Sequence, residues 1–228
     1  MKGAVYAGIG GLLALVMLTG CGLVGGSGKM PDAFTSTDVA IIRYHFAEHQ
    51  KTLEEFTTRL YAKNPKYESD PLERQRKLRF IFHNDLPVEF HYAYRPSHEV
   101  LTAAFAATPD YNDRVYLLVL GMVKGIREAY EGHEQHTFLT GLQIPLERLQ
   151  RLHHNLSQVN WRLKTYKDER GELLFRTNEL GSDGYLNMGY EVMMTEMLTR
   201  IKDDIHLRGG LPGKYIFNMS TLFVSILI

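Results

Sequence analysis

The run Tyr116-Leu-Leu-Val-Leu-Gly-Met-Val123 has no polar face. A helix that is apolar all round must be enclosed on every side, so the rest of the chain has to supply several covering elements. The run is far shorter than the roughly 20 residues a membrane span takes, and Lys124, Arg127 and Glu128 follow it directly. The expected cover is therefore protein. We read a central buried helix that opens at Asn112 or Asp113 and runs through Tyr130, with Gly121 and Gly125 spaced to let a neighbouring helix approach closely.

The covering elements read as helices too. From Asp38, the apolar positions Val39, Ile42, Phe46, Leu53, Phe56 and Leu60 recur at alternating spacings of 3 and 4, with His49 filling the one gap. Thr35, Ser36 and Thr37 offer N-caps, and Asn64-Pro65 ends the helix. Asp70-Pro71-Leu72-Glu73 opens a second helix, which runs to Phe82. Ser97 caps a short third helix through Ala107. Pro145 starts another, with Leu146, Leu149, Leu156 and Leu163 on one stripe and its end between Lys164 and Glu179. Ser182-Asp183 caps a helix carrying Tyr190, Met193, Met194, Met197, Ile201 and Ile205. Residues 215–228 are mostly apolar and are expected in the core, an exposed partner-binding strand being the minor alternative. The alternation of Val88, Phe90, Tyr92 and Tyr94 suggests one short extended segment near 88–94. The fold class expected is all-α: a single compact domain of about six or seven helices.

The N-terminus carries a different kind of signal. Lys2 precedes an apolar stretch from Ala4 to Leu18, followed by small residues, the layout of a secretory signal. Leu18-Thr19-Gly20-Cys21 resembles the lipobox of bacterial lipoproteins. The resemblance covers about the first tenth of the chain. It implies that residues 1–20 are removed and that Cys21 carries a diacylglyceryl thioether and an N-acyl chain, such as palmitate. Gly22, in place of the aspartate that marks inner-membrane retention in enteric members of the class, implies the outer membrane, with the domain facing the periplasm. Cys21 is the only cysteine, a leftover thiol that lipidation accounts for, and two or three acyl chains make anchoring stable where one does not. Residues 21–33 then form the lipidated cysteine and a flexible tether, and residues 34–228 the helical periplasmic domain. Within the tether, Gly25-Gly26-Ser27-Gly28-Lys29 resembles a phosphate loop, but Leu23 and Met30 stand where that motif needs Gly and Ser or Thr.

Equal numbers of basic and acidic residues, 26 of each, argue against a nucleic-acid partner. Chemistry is sparse. His45 and His49 leave one helical face a turn apart, and His153 and Asn160 occupy gaps in a later apolar stripe. The sharp reading is a transition-metal site in the bundle core formed by His45, His49 and His153, with Glu48 beside them. The plainer reading is core polar residues bonded to one another. Glu131-Gly-His-Glu-Gln-His136 misses the zinc-protease spacing by one residue and reads as a solvated turn. Arg74, Arg76, Lys77 and Arg79 read as a solvated basic face, able to meet anionic headgroups. Met188, Met193, Met194 and Met197 read as core filler. No Gly-x-Ser-x-Gly element is present. Phe90, Tyr92, Tyr94 and Arg95 form the best candidate for an interaction surface, because aromatics beside an arginine resemble interface hot spots. Trp161 is an anchor for either the core or a partner.

The functional expectation is a non-catalytic envelope assembly or interaction factor, held to the outer membrane by lipid and engaging a protein partner. The alternative is a metal- or cofactor-binding helical protein built on the core histidines.

Overall fold

A computed structural model describes residues 37–83, 92–130, 144–178, 188–210 and 222–227. Six α-helices account for most of them: α1 (Thr37–Lys63), α2 (Pro71–His83), α3 (Ser97–Ala104), α4 (Arg114–Tyr130), α5 (Leu146–Thr165) and α6 (Gly189–Leu207). Among the described residues there is no strand, only an isolated antiparallel bridge from Lys167 to Leu173 around a turn at Gly171. No helix among them is long and apolar enough to cross a membrane. The sequence-predicted signal peptide, lipidation site and tether lie outside the described residues.

The centre is α4, as its composition requires. Every residue from Arg114 to Val123 is buried, and α4 packs against α1, α2, α3 and α5. The two glycines face different neighbours. A β-carbon at Gly121 would lie 2.8 Å from the Leu101 side chain of α3, while one at Gly125 would lie 3.3 Å from Ile226 and 3.5 Å from Leu152. Close approach of α3 thus depends chiefly on Gly121, since Ser97 of α3 lies an ordinary 3.7 Å from the same position at Gly125.

The helix starts follow their capping chemistry. Asp70 Oδ1 accepts from the Leu72 amide at 2.8 Å, and Asp113 Oδ1 from the Tyr116 amide at 2.9 Å, each satisfying an orphan donor of a first turn. At α3 the cap is Pro96 rather than Ser97. Ser97 is instead the first helical residue, and its amide donates to Glu128 Oε1 of α4 at 2.9 Å while its hydroxyl bonds Glu128 Oε2. The carboxylate supplied by the neighbouring helix replaces a local cap. The helix also stops at Ala104, earlier than the expected Ala107.

The basic run on α2 is not a uniform solvated face. Lys77 is 5% exposed, because it shares the inner face with Phe80 and Ile81 at helical spacing. Its ammonium lies 2.6 Å from Glu68 and 2.7 Å from Asp113, and Asp113 also accepts from the Tyr61 hydroxyl at 2.9 Å. Burial alone would lower the lysine's pKa, but the hydrogen bonds from Asp113 and Glu68 outweigh it and hold it above its ordinary value.

Residues 222–227 run without regular structure over α5 and enter the core at two points: Phe223 is 5% exposed and Ile226 fully buried. Asn155 pins the segment, donating to the Val224 carbonyl at 2.8 Å and accepting from the Val224 amide at 2.9 Å. Arg151 donates to the Ser225 carbonyl at 2.9 Å. Phe223 lies 4.2 Å from the guanidinium of buried Arg162, which Phe105 and Tyr166 also flank, an arrangement that offsets part of the cost of burying that charge.

Candidate functional site

Two places gather side chains that the hydrophobic core does not require. The first lies where α1, α4 and α6 meet. His45 Nδ1 is 2.7 Å from Asp204 Oδ1, and the Tyr130 hydroxyl donates to Asp204 Oδ2. Asp204 is fully buried. Burial pushes its carboxyl above the ordinary range, against the hydrogen bonds from Tyr130 and His45, which pull it down.

One turn along α1, His49 is also fully buried, its ring tilted against Tyr130 at 5.9 Å. Neither of its ring nitrogens has a hydrogen-bond partner among the described residues. Burial, reinforced by the charges of Arg200 and His45, lowers its pKa to about 3. Arg200 of α6 sits beside it, bonded to Thr52 Oγ1 at 3.2 Å and 3.8 Å from Glu48.

The candidate metal ligands are thus only partly brought together. His45 and His49 share the α1 face as their spacing requires, but His45 spends Nδ1 on Asp204. His153, on α5, is partly exposed, and its neighbouring charges are Lys202 and His154. No group of three or more His, Cys, Asp or Glu side chains among the described residues is arranged to hold a metal ion. The His45, His49 and His153 trio does not form one. The apolar stripe of α5 is present at Leu149, Leu152, Leu156, Val159 and Leu163, but the polar residues beside it in the core are His154, Asn155, Gln158 and Arg162, not His153 and Asn160. Asn160 points to the α6 surface, 3.5 Å from Glu191. Sequence reasoning missed Asp204 and Tyr130. The signal for Asp204 was its place three residues beyond Ile201 on the stripe of Met197 and Ile201.

The unpartnered imidazole has a measurable consequence. His49 is depressed from an ordinary 6.5 to about 3 in the folded chain, so between these values the unfolded chain binds the extra proton. Its contribution is fully present above pH 6.5 and is lost as pH falls. At pH 5 this one group should have removed about 2 kcal/mol. His153 and His154, both lowered first by burial, act with the same sign, and Asp204 with the opposite one. The difference between wild type and His49→Leu isolates the term. Urea midpoints should show the variant equal or more stable at pH 7, and its advantage should widen by about 2 kcal/mol at pH 5. An unchanged difference between the two pH values would mean that His49 is not buried neutral.

The second place is the candidate interaction strip. Phe90 lies outside the described residues, as does most of the expected extended segment. Residues 92–95 correct that expectation: they form a turn, closed by the Arg95 amide on the Tyr92 carbonyl at 3.1 Å. Tyr92 has φ of 70°, a left-handed conformation that a bulky residue adopts only when its surroundings over-determine it. They do so here. Its ring is 6% exposed, its hydroxyl donates to Asp110, and the Arg95 guanidinium covers it at 4.5 Å. Alternation in sequence cannot foresee this, because a buried ring at position 92 is compatible with either backbone. The turn leaves Tyr94 84% exposed. Beside it opens a cleft of about 340 Å³, lined by Tyr92, Arg95, Glu99, Thr102 and Asp110 among others.

Of the remaining sequence-predicted features, the cluster at 131–136 lies outside the described residues, three of the four methionines are core, and half-buried Trp161 lies at the core's edge. Met193, Met194 and Met197 are buried and only Met188 is exposed; Trp161 packs edge-on against Tyr166 at 5.7 Å. No protein-family model, no curated protein and no solved structure matches this chain.

Proposed function

We propose that this chain is an outer-membrane lipoprotein anchored through Cys21, and that its helical domain works in the periplasm as a non-catalytic interaction factor. In this reading the Tyr92–Arg95 turn receives a protein partner of the cell envelope. One observation carries it: a strained, fully tied-down turn that holds an almost completely exposed tyrosine beside a cleft. Strain of this kind costs of order 1–3 kcal/mol and is concentrated at functional sites. A tyrosine on a fixed backbone is a low-entropy hot-spot residue.

A photo-crosslinking amino acid placed at Tyr94 in intact cells should trap one discrete adduct. Tyr94→Ala should abolish partner recovery while changing domain stability by less than about 0.5 kcal/mol, as for an exposed side chain. Absence of any adduct at 94, alongside adducts from control positions on other faces, would remove the turn from the interface. Loss of acyl labelling in Cys21→Ala tests the anchor separately.

A second reading, a metal- or cofactor-binding protein, draws on the unpartnered nitrogens of His49. Near-stoichiometric metal in full-length protein purified without chelators, lost in His49→Leu, would favour it over the interaction reading.

A further inference from the structure

α6 is fastened in two different ways along its length. Its first turns are held to α5 and to the aromatic core: Glu191 pairs with Lys164 and lies 3.5 Å from Asn160, and Tyr190 meets the Phe56 ring edge-on at 5.4 Å. Its second half is held to α1 and α4 by polar bonds from two residues one turn apart. Arg200 bonds Thr52 at 3.2 Å and lies 3.8 Å from Glu48, while Asp204 bonds His45 and Tyr130. Ile201 and Ile205, both fully buried, complete that half.

His49 lies inside this ring of bonds. The α1 residues that make them, His45, Glu48 and Thr52, are all within four positions of it. The ionisable groups around the imidazole are His45 and Glu48 on its own helix, Tyr130 on α4, and Arg200 and Asp204 on α6, with Glu196 and Asp203 behind them. Neither Glu48 nor Asp204 bonds His49: one is turned to Arg200 and the other to His45 and Tyr130. The seam thus encloses a neutral ring beside a guanidinium and gives a second proton on that ring nothing to bond.

We propose that His49 is an acid-operated latch: a proton on its ring releases the second half of α6, Arg200 to Leu207, from α1 and α4, while the first half stays on α5. An imidazole in water takes up a proton near pH 6.5, and the buried ring resists it. The open form therefore binds the extra proton, and opening becomes about tenfold easier for each pH unit below 6.5. Asp204 works in the opposite direction, because burial raises its carboxyl and its neutral form favours the closed seam. A His49 variant that keeps Asp204, His45 and Arg200 cancels that share. Release uncovers Ile201 and Ile205, so acid presents an apolar surface that neutral pH conceals. Local openings of this kind and histidine-operated interfaces are both established devices.

The test is amide hydrogen exchange on full-length protein in maltoside micelles containing EDTA, at pH 7 and pH 5, corrected for intrinsic exchange and repeated in low urea. At pH 5 the wild-type amides of Ile201–Leu207 are expected to open at least about tenfold more often than those of Leu117–Val123 and Met193–Met197, and with little urea dependence, the mark of a local opening. The ratio of wild-type to His49→Leu opening at Ile201–Leu207 should rise about 25-fold between pH 7 and pH 5. His49→Met serves in the same comparison should leucine not pack. Exchange of all three sets through one urea-sensitive opening would overturn the proposal, since the whole domain would then be unfolding. So would a ratio that stays the same at the two pH values.

Discussion

Replacing Asp113 with alanine is expected to cost about 3–5 kcal/mol, the range for breaking a buried ion pair by removing one partner. Three separate tasks meet in this carboxylate. It accepts the Tyr116 amide and so caps the central helix, it accepts the Tyr61 hydroxyl from α1, and it neutralises Lys77 from α2 at 2.7 Å. Loss of the cap alone costs roughly 1 kcal/mol. The larger loss comes from Lys77, which would stay buried with only half-exposed Glu68 as counter-charge. Asp113→Asn should recover the cap on its single acceptor oxygen but neither the charge nor the bond accepted from Tyr61, which uses the other oxygen, and should fall between wild type and alanine. Because the three residues form one network, Lys77→Met combined with Asp113→Ala should cost clearly less than the sum of the two single changes. Urea denaturation followed by circular dichroism measures all four. A cost below 1 kcal/mol for Asp113→Ala would show that the three contacts are not simultaneously made.

Phe223→Ala is expected to cost about 3–5 kcal/mol, as for other buried aromatic truncations. The side chain is 5% exposed and lies 5.9 Å from the Phe105 ring. It also covers the Arg162 guanidinium at 4.2 Å. Truncation leaves a cavity next to a buried charge, a worse outcome than a cavity in a purely apolar region. Water entering to solvate Arg162 would loosen residues 222–227, so protease sensitivity there should rise together with the drop in melting temperature. Asn155, which grips the backbone two atoms at a time, would then have nothing fixed to hold. A variant with wild-type stability would show that the segment contributes little to the core.

Much of the helical framework is legible in the sequence because it follows from spacing and caps. The stripe from Val39 to Leu60 and the Asn64-Pro65 stop lead to a helix observed at Thr37–Lys63. The Asp70-Pro71 start and the apolar run of α4 stand as expected. What spacing does not reveal is which polar residues the core accepts. Lys77 looks like one charge among four until it is placed on the face of Phe80 and Ile81. His153 and His154 are adjacent in sequence, and the difference in which of them enters the core is set by the lean of α5 against α4 and α6. The candidate site was half visible for the same reason. His45 and His49 lie on a helix whose phase the stripe defines, but their partners Asp204 and Tyr130 come from 159 residues away along the chain in one case and from another helix in the other. The left-handed Tyr92 has no signature in the alternation of 88–94, since the bond of its hydroxyl to Asp110, 18 residues on, helps to impose it.

The clamp of Asn155 on Val224 also has a consequence in time. A ribosome releases α5 well before residues 222–227, so the groove beside Asn155 and Arg162 is made before the segment that fills it. Until that segment arrives, two core positions stand open and a buried guanidinium lacks one of its aromatic walls. Domains generally fold as units during synthesis, and this one withholds its closing piece until nearly the whole described chain has emerged. Burial of Phe223 and Ile226 is therefore the last packing step available to the described helices.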